Sequence, residues 1–176
     1  FLRVRAMVEL NDGQIERAAT HARQAVALAR TYKDDLALLH SLLQLQLVAA
    51  AQCDFAQMLA VSREMEALAQ RADNARYLTM AYVGQGAAQL NIGEYADATR
   101  LLERARAYLP QELGPIPESV TLSLLANALR YQDQVERAVE YASQALAAVL
   151  RARFNVVQLR HPYVCILDTY LASPQP

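Results

Sequence analysis

Apolar residues recur along this chain on one helical stripe, and the stripe itself repeats. Ile15, Phe55, Tyr95 and Val135 stand 40 residues apart. Three residues on come Ala18, Met58, Ala98 and Ala138, and at the next contact positions Ala22, Ser62, Leu102 and Ala142, then Ala25, Met65, Ala105 and Ala145. Offsets of 3, 7 and 10 trace one face of an α-helix. Polar clusters between the apolar runs keep the same spacing, as in Asn11-Asp12-Gly13, Gln52-Cys53-Asp54 and Gln132-Asp133. An internal period of this length is the mark of stacked helical hairpins.

The pattern predicts nine helices and no strand. They run from about Leu2 to Leu10, Gln14 to Thr31, from a cap at Asp34 or Asp35 to about Ala51, and Phe55 to Arg71, then from a cap at Asp73 or Asn74 to just before Gly93. The sixth runs from Glu94 to Leu109, where Pro110 stops it. Leu113-Gly114-Pro115-Ile116-Pro117 is the longest break, so the seventh is expected to begin near Glu118 or Ser119 and end at Tyr131. The eighth runs from Val135 to about Arg153, and Asn155 to Leu171 resumes the pattern, with Pro162 at its start or kinking it. The joints between hairpins also keep the period, at Asp34, Asn74, Gly114 and Phe154. The expected units are 1–33, 34–73, 74–113, 114–153 and a partial 154–172, all within one domain. A helical pattern that already includes Phe1 reads as a piece of a longer array.

Residues 82–110 resemble a tetratricopeptide repeat. Tyr82, Gly86, Ala98, Leu102, Ala105 and Pro110 fall where that family has its large, small, Ala, apolar, Ala and Pro positions. The first repeat keeps Leu2, Ala6, Ala18, Ala22 and Ala25, and the fourth keeps Leu122, Ala126, Ala138, Ala142 and Ala145. The second departs, with Gln46 at the small position and Met58, Ser62 and Met65 in the packing set. The family's unit is about 34 residues, so each hairpin here is longer by roughly one and a half helical turns. The resemblance implies an all-α, right-handed superhelix, an α-α solenoid of four hairpins plus a C-terminal helix. Long repeats of this kind are similar to those of large bacterial ATP-dependent LuxR-type regulators. That implies a non-catalytic module for protein interaction or sensing, in the cytoplasm.

In the tetratricopeptide fold the first helix of each hairpin lines the concave face. Carried over, that places Arg3, Met7 and Asn11 there, then His40, Leu43, Leu47 and Ala51, then Met80, Val83, Ala87 and Asn91, and last Val120, Ser123, Asn127 and Tyr131. This apolar strip would suit a helix or peptide of a partner protein. It would equally suit adjacent domains of the same chain, a second copy in a homodimer, or a small-molecule effector. The family's basic clamp for a terminal carboxylate is matched only by Asn11, Asn91 and Asn127; its lysines are missing.

Composition narrows the chemistry. The chain is 54% hydrophobic, with only 5 Gly and 6 Pro, which leaves little room for loops. Net charge is −1 and the basic residues are scattered, unlike a nucleic-acid footprint. No apolar run is long enough for a membrane span. Cys53 and Cys165 make no disulfide framework and are expected as free thiols. His21, His40 and His161 lie on different hairpins. His21 is expected to be solvated or at an interface, and His161 with Cys165 would give a metal only two ligands. Gly84-Gln85-Gly86 lies within a helix and is no phosphate loop. Glu16-Arg17 and Glu136-Arg137 read as solvated charges, and Tyr82, Tyr95 and Tyr108 as core. The sequence therefore offers no catalytic group, cofactor site or metal site.

Overall fold

The computed structural model describes residues 1–109, 114–152, 164, 166–169 and 171. Eight helices account for most of them: α1 (Leu2–Asn11), α2 (Ile15–Tyr32), α3 (Asp35–Ala51), α4 (Phe55–Arg71), α5 (Ala75–Asn91), α6 (Tyr95–Ala107), α7 (Pro115–Arg130) and α8 (Val135–Ala152). No strand occurs among the described residues.

The 40-residue period reappears in the backbone, and there it is halved. Gly13, Cys53, Gly93 and Asp133 all have positive φ, and so do Lys33 and Asp73, midway between them. Each closes the preceding helix in the same way. At Lys33, its own N–H donates to the Arg30 carbonyl while the N–H of Asp34 reaches back to Ala29. Cys53 and Asp54 bond to Ala50 and Ala49, and Asp73 and Asn74 to Gln70 and Ala69. This is the Schellman turn, which satisfies carbonyls that a helix end leaves without partners. The turn inside a hairpin is thus the same as the turn between hairpins.

After three of these left-handed positions the next residue caps the following helix with its side chain. Asp34, Asp54 and Asn74 accept from the backbone N–H of Ala37, Gln57 and Tyr77, each cap contributing about 1 kcal/mol. Lys33, at φ 53°, holds a conformation that penalises a β-carbon. Lys33→Gly is therefore expected to stabilise the chain by about 0.5–1 kcal/mol after the flexibility of glycine is discounted, seen as a higher urea midpoint.

The helices form two layers. Each packs on its sequence neighbours, with α4 on α5 as extensive as α5 on α6. In addition α1 packs on α3, α3 on α5 and α5 on α7. The even helices have no comparable second-neighbour packing and meet through polar side chains instead. Arg30 pairs with Glu64 at 2.7 Å, Arg104 with Glu66 at 3.8 Å, and Tyr141 donates to Glu103 at 2.8 Å. The sequence explains the division. The middle odd helices are apolar nearly all round, as buried helices are, whereas the even ones carry a single buried stripe, Ala-rich in α2 and α6, and a charged outer face. At the α5–α6 crossing, Gly86 lies against the fully buried Leu102. The fold is all-helical and compatible with an α-solenoid.

One expectation needs correction. Helix α7 starts at Pro115, three residues or more ahead of Glu118 or Ser119. Gly114, at φ 76°, caps it, and proline at the first helical position has no N–H to waste and a φ already suited to the helix. The segment expected from Asn155 to Leu171 lies largely outside the described residues, as do Pro110, Leu113, Arg153, Phe154, His161, Pro162 and Cys165. Its described residues are helical. Ile166 and Thr169 are buried like Ala126 and Leu129 one period earlier, and Leu171 is exposed like Tyr131, whereas Val164 and Asp168 are exposed where Leu124 and Ala128 are buried.

Candidate functional site

The packing of α1 on α3, α3 on α5 and α5 on α7 sets the helices that carry the predicted strip side by side. On α3, His40 and Leu43 are half-buried and Leu47 is 43% exposed. His40 is held in place: Nδ1 donates to the Leu36 carbonyl at 2.9 Å, and its ring meets Tyr77 edge-on with centroids 5.2 Å apart. On α5, Met80 and Ala87 are half-buried and Asn91 is exposed, its amide donating to the Ala87 carbonyl. On α1, Met7 and Asn11 are exposed and Arg3 is half-buried. On α7, Val120 and Asn127 are half-buried, and Tyr131 stands exposed at the C-terminal cap.

Two positions fall elsewhere. Val83 is buried, and Ser123 is fully buried with its hydroxyl donating to the Val120 carbonyl, so neither offers a side chain to the surface. The surface that remains is a ladder of Met7, Leu47 and Ala87 beside Leu43 and Met80.

The structure adds three features that the residue pattern did not show. Tyr131 stacks on Tyr95, with centroids 4.8 Å apart, and Arg130 lies over the Tyr131 ring at 4.2 Å. Tyr95 opens α6 and Tyr131 closes α7, so only the folded chain brings them together.

A cavity of about 440 Å³ opens between α1, the end of α2 and the start of α3, lined among others by Leu2, Arg3, Leu28, Tyr32, Ala37 and Ser41. Ala37, among its lining residues, stands where the next repeat has the buried Tyr77.

The third feature is Glu9, a buried carboxylate inside the first hairpin. His21 Nδ1 donates to it at 2.6 Å, Arg5 lies at 3.3 Å and Arg17 at 4.0 Å. Burial pushes its carboxyl up. The His21 and Arg5 hydrogen bonds and charges outweigh burial and hold it below the ordinary value of 4.5. A depressed carboxyl contributes stability above its unfolded pKa and loses it as pH falls through the folded one. Acid titration of the melting temperature is therefore expected to drop below pH 4.5, and Glu9→Gln to make that drop shallower.

Burial raises the Tyr77, Tyr82 and Tyr141 hydroxyls, which stay protonated at neutral pH. Among the described residues no group of three His, Cys, Asp or Glu side chains is placed to hold a metal ion, and Cys53 is exposed as a free thiol. No described helix is long and apolar enough to cross a membrane. No known family model matches the chain, and no curated protein matches it.

Proposed function

We propose that the chain is a non-catalytic interaction module that binds a helix or peptide of a partner protein, or an adjacent domain, along the inner face of its odd helices. The observation that carries this reading is the two-layer packing. It sets α1, α3 and α5 side by side, each with half-buried or exposed apolar side chains at the strip positions, whereas the even helices present charge, and this supports the reading. Amphipathic helices dock on such faces through anchors spaced by helical turns. The tetratricopeptide resemblance supports it, with a right-handed superhelix and a place within a larger cytoplasmic bacterial regulator.

A panel of amphipathic helical peptides, titrated by fluorescence anisotropy, tests the reading. Leu47→Asp and Met80→Asp are each expected to weaken the binders by about tenfold or more, as loss of a central anchor does. Ala60→Asp, on the exposed side of α4, is expected to leave binding unchanged. Binders indifferent to both inner-face substitutions would rule this face out.

The cavity beside Ala37 favours a second reading, a small-molecule effector site. Ala37→Tyr, which copies the Tyr77 of the next repeat, would fill it. If effector binding survives that change, the second reading fails.

A further inference from the structure

Two apolar stripes stay open, one on the first helix and one on the last described segment. On α1, Val4 and Val8 are exposed, as is Phe1 at its N-cap, and Arg5 stands between the valines. The same register positions on α3, α5 and α7 are buried, except the half-buried Gln44. There an even helix precedes the odd one and packs on it, as α2 does on α3 and α4 on α5. On the last segment Val164, Leu167 and Leu171 are exposed, while Ile166 and Thr169 are buried. The two stripes share one spacing. Val4 and Val8 follow Phe1 by three and seven residues, and Leu167 and Leu171 follow Val164 by three and seven. That spacing is one face of a helix. Four residues after each first member stands a charge, Arg5 in one stripe and Asp168 in the other. Arg5 lies 3.3 Å from Glu9, but its side chain is 46% exposed and a guanidinium has donors to spare. Asp168 is exposed.

We propose that these stripes bind each other between two copies of the chain, α1 of one copy on Val164, Leu167 and Leu171 of the next. Laid parallel, the stripes set apolar side chains on apolar ones and Arg5 beside Asp168, a charge-assisted contact. A twofold pairing of α1 on α1 would instead bring two Arg5 side chains to the centre of the contact. The two surfaces differ, so the contact is head-to-tail. It leaves a free stripe at each end of an assembly, and association continues past the dimer. Four side chains from each copy make a contact far smaller than that of a stable dimer, so it forms at high concentration. This surface is separate from the inner face of the odd helices.

Sedimentation equilibrium of the whole chain over a wide range of concentration tests this. The average mass is expected to rise past that of two chains. Val8→Asp and Val164→Asp, both at exposed positions, should each weaken self-association by about tenfold or more. Mixing the two variants is the sharper experiment. One keeps an intact last stripe and the other an intact α1, so the mixture should form dimers and nothing larger. Such rescue also shows that both variants are folded. Asp168→Lys should weaken association in low salt, and Leu47→Asp, on the inner face, should leave it unchanged. A chain that stays single at every concentration, a mixture that does not pair, or an Asp168→Lys chain that associates like the parent would overturn the proposal. So would loss of association in only one of the two stripe variants, which means a like-on-like dimer. Loss in Leu47→Asp would overturn it too, by moving the contact to the inner face.

Discussion

Gly86→Leu is expected to destabilise the chain by more than about 2 kcal/mol, at the upper side of the cost of overpacking a core. A β-carbon at residue 86 would already lie 2.6 Å from Leu102 Cγ and 2.9 Å from its Cδ2. Leu102 is fully buried between α5 and α6 and has no free direction in which to withdraw. The two helices would have to part, and the stacking of both on their neighbours would loosen with them. Gly84, two residues away, supplies the control. A β-carbon there would also overlap its neighbours, but these are the amide end of Gln46 and the Ser62 hydroxyl. The Gln46 amide can move only by giving up its bond to the Met80 carbonyl, and Ser62 is buried and bonded to Met58, so the roughly 1 kcal/mol of helix propensity that alanine gains over glycine offsets only part of that cost. Gly84→Ala is therefore the milder change. Thermal melts decide it: Gly86→Leu should lose at least about 4 °C, and a melt indistinguishable from the parent would dismiss the crossing as described.

Tyr82→Ala is expected to cost about 3–5 kcal/mol, the range for deleting a buried aromatic ring. The Tyr82 ring is 1% exposed, with the Tyr108 ring at 6.0 Å and the Arg104 guanidinium over its face at 4.3 Å. Its hydroxyl also accepts from Arg104, which in turn approaches Glu66 at 3.8 Å, the carboxylate that takes a hydrogen bond from Gln85. Removing the ring leaves a void and strands a polar network that joins α4, α5 and α6. Tyr82→Phe separates the two effects. It keeps the ring and loses only the hydroxyl, for about 1 kcal/mol. Urea unfolding of both variants measures the difference. Equal losses would mean that the network, and not the ring, holds this crossing.

The helices were readable because their signals are local. The start of α4 follows from the polar cluster Gln52-Cys53-Asp54 and the apolar stripe that begins at Phe55, and its end from Asp73 and Asn74, which open the next helix. The start of α7 was not, because prolines at 115 and 117 look like breakers unless the left-handed Gly114 before them is known. That the two kinds of turn share one backbone was hidden for a related reason. Lys33, Cys53 and Asp73 adopt a glycine-like conformation without being glycine, so the polar clusters mark where the turns fall but not their common shape. Gln46 reads as a flaw in the second repeat. In the structure its amide donates to the Met80 carbonyl at 3.3 Å, in space left by Gly84 on the next hairpin, a compensation 38 positions away in the chain. The inner-face strip came from the family resemblance, which assigns positions but not depth. It could not tell the half-exposed Leu43 from Val83 at the same repeat position. Nor does anything local in the sequence mark Glu9 as buried, since its partners lie mostly on the facing helix.

Helix α6 has 13 residues where its even counterparts have 17 or 18. Its packing on α7 is the thinnest between any two consecutive helices. In an array whose cohesion is the sum of neighbour interfaces, the shortest interface is also the most compliant one. Bending or pulling would concentrate there, so α1–α6 would swing as one lever against α7 and α8. The inner face of α7, with Tyr131 and Asn127, would then change its distance from Met80 and Leu47 at little cost. A spring built in this way would set the width of the proposed groove by a single joint.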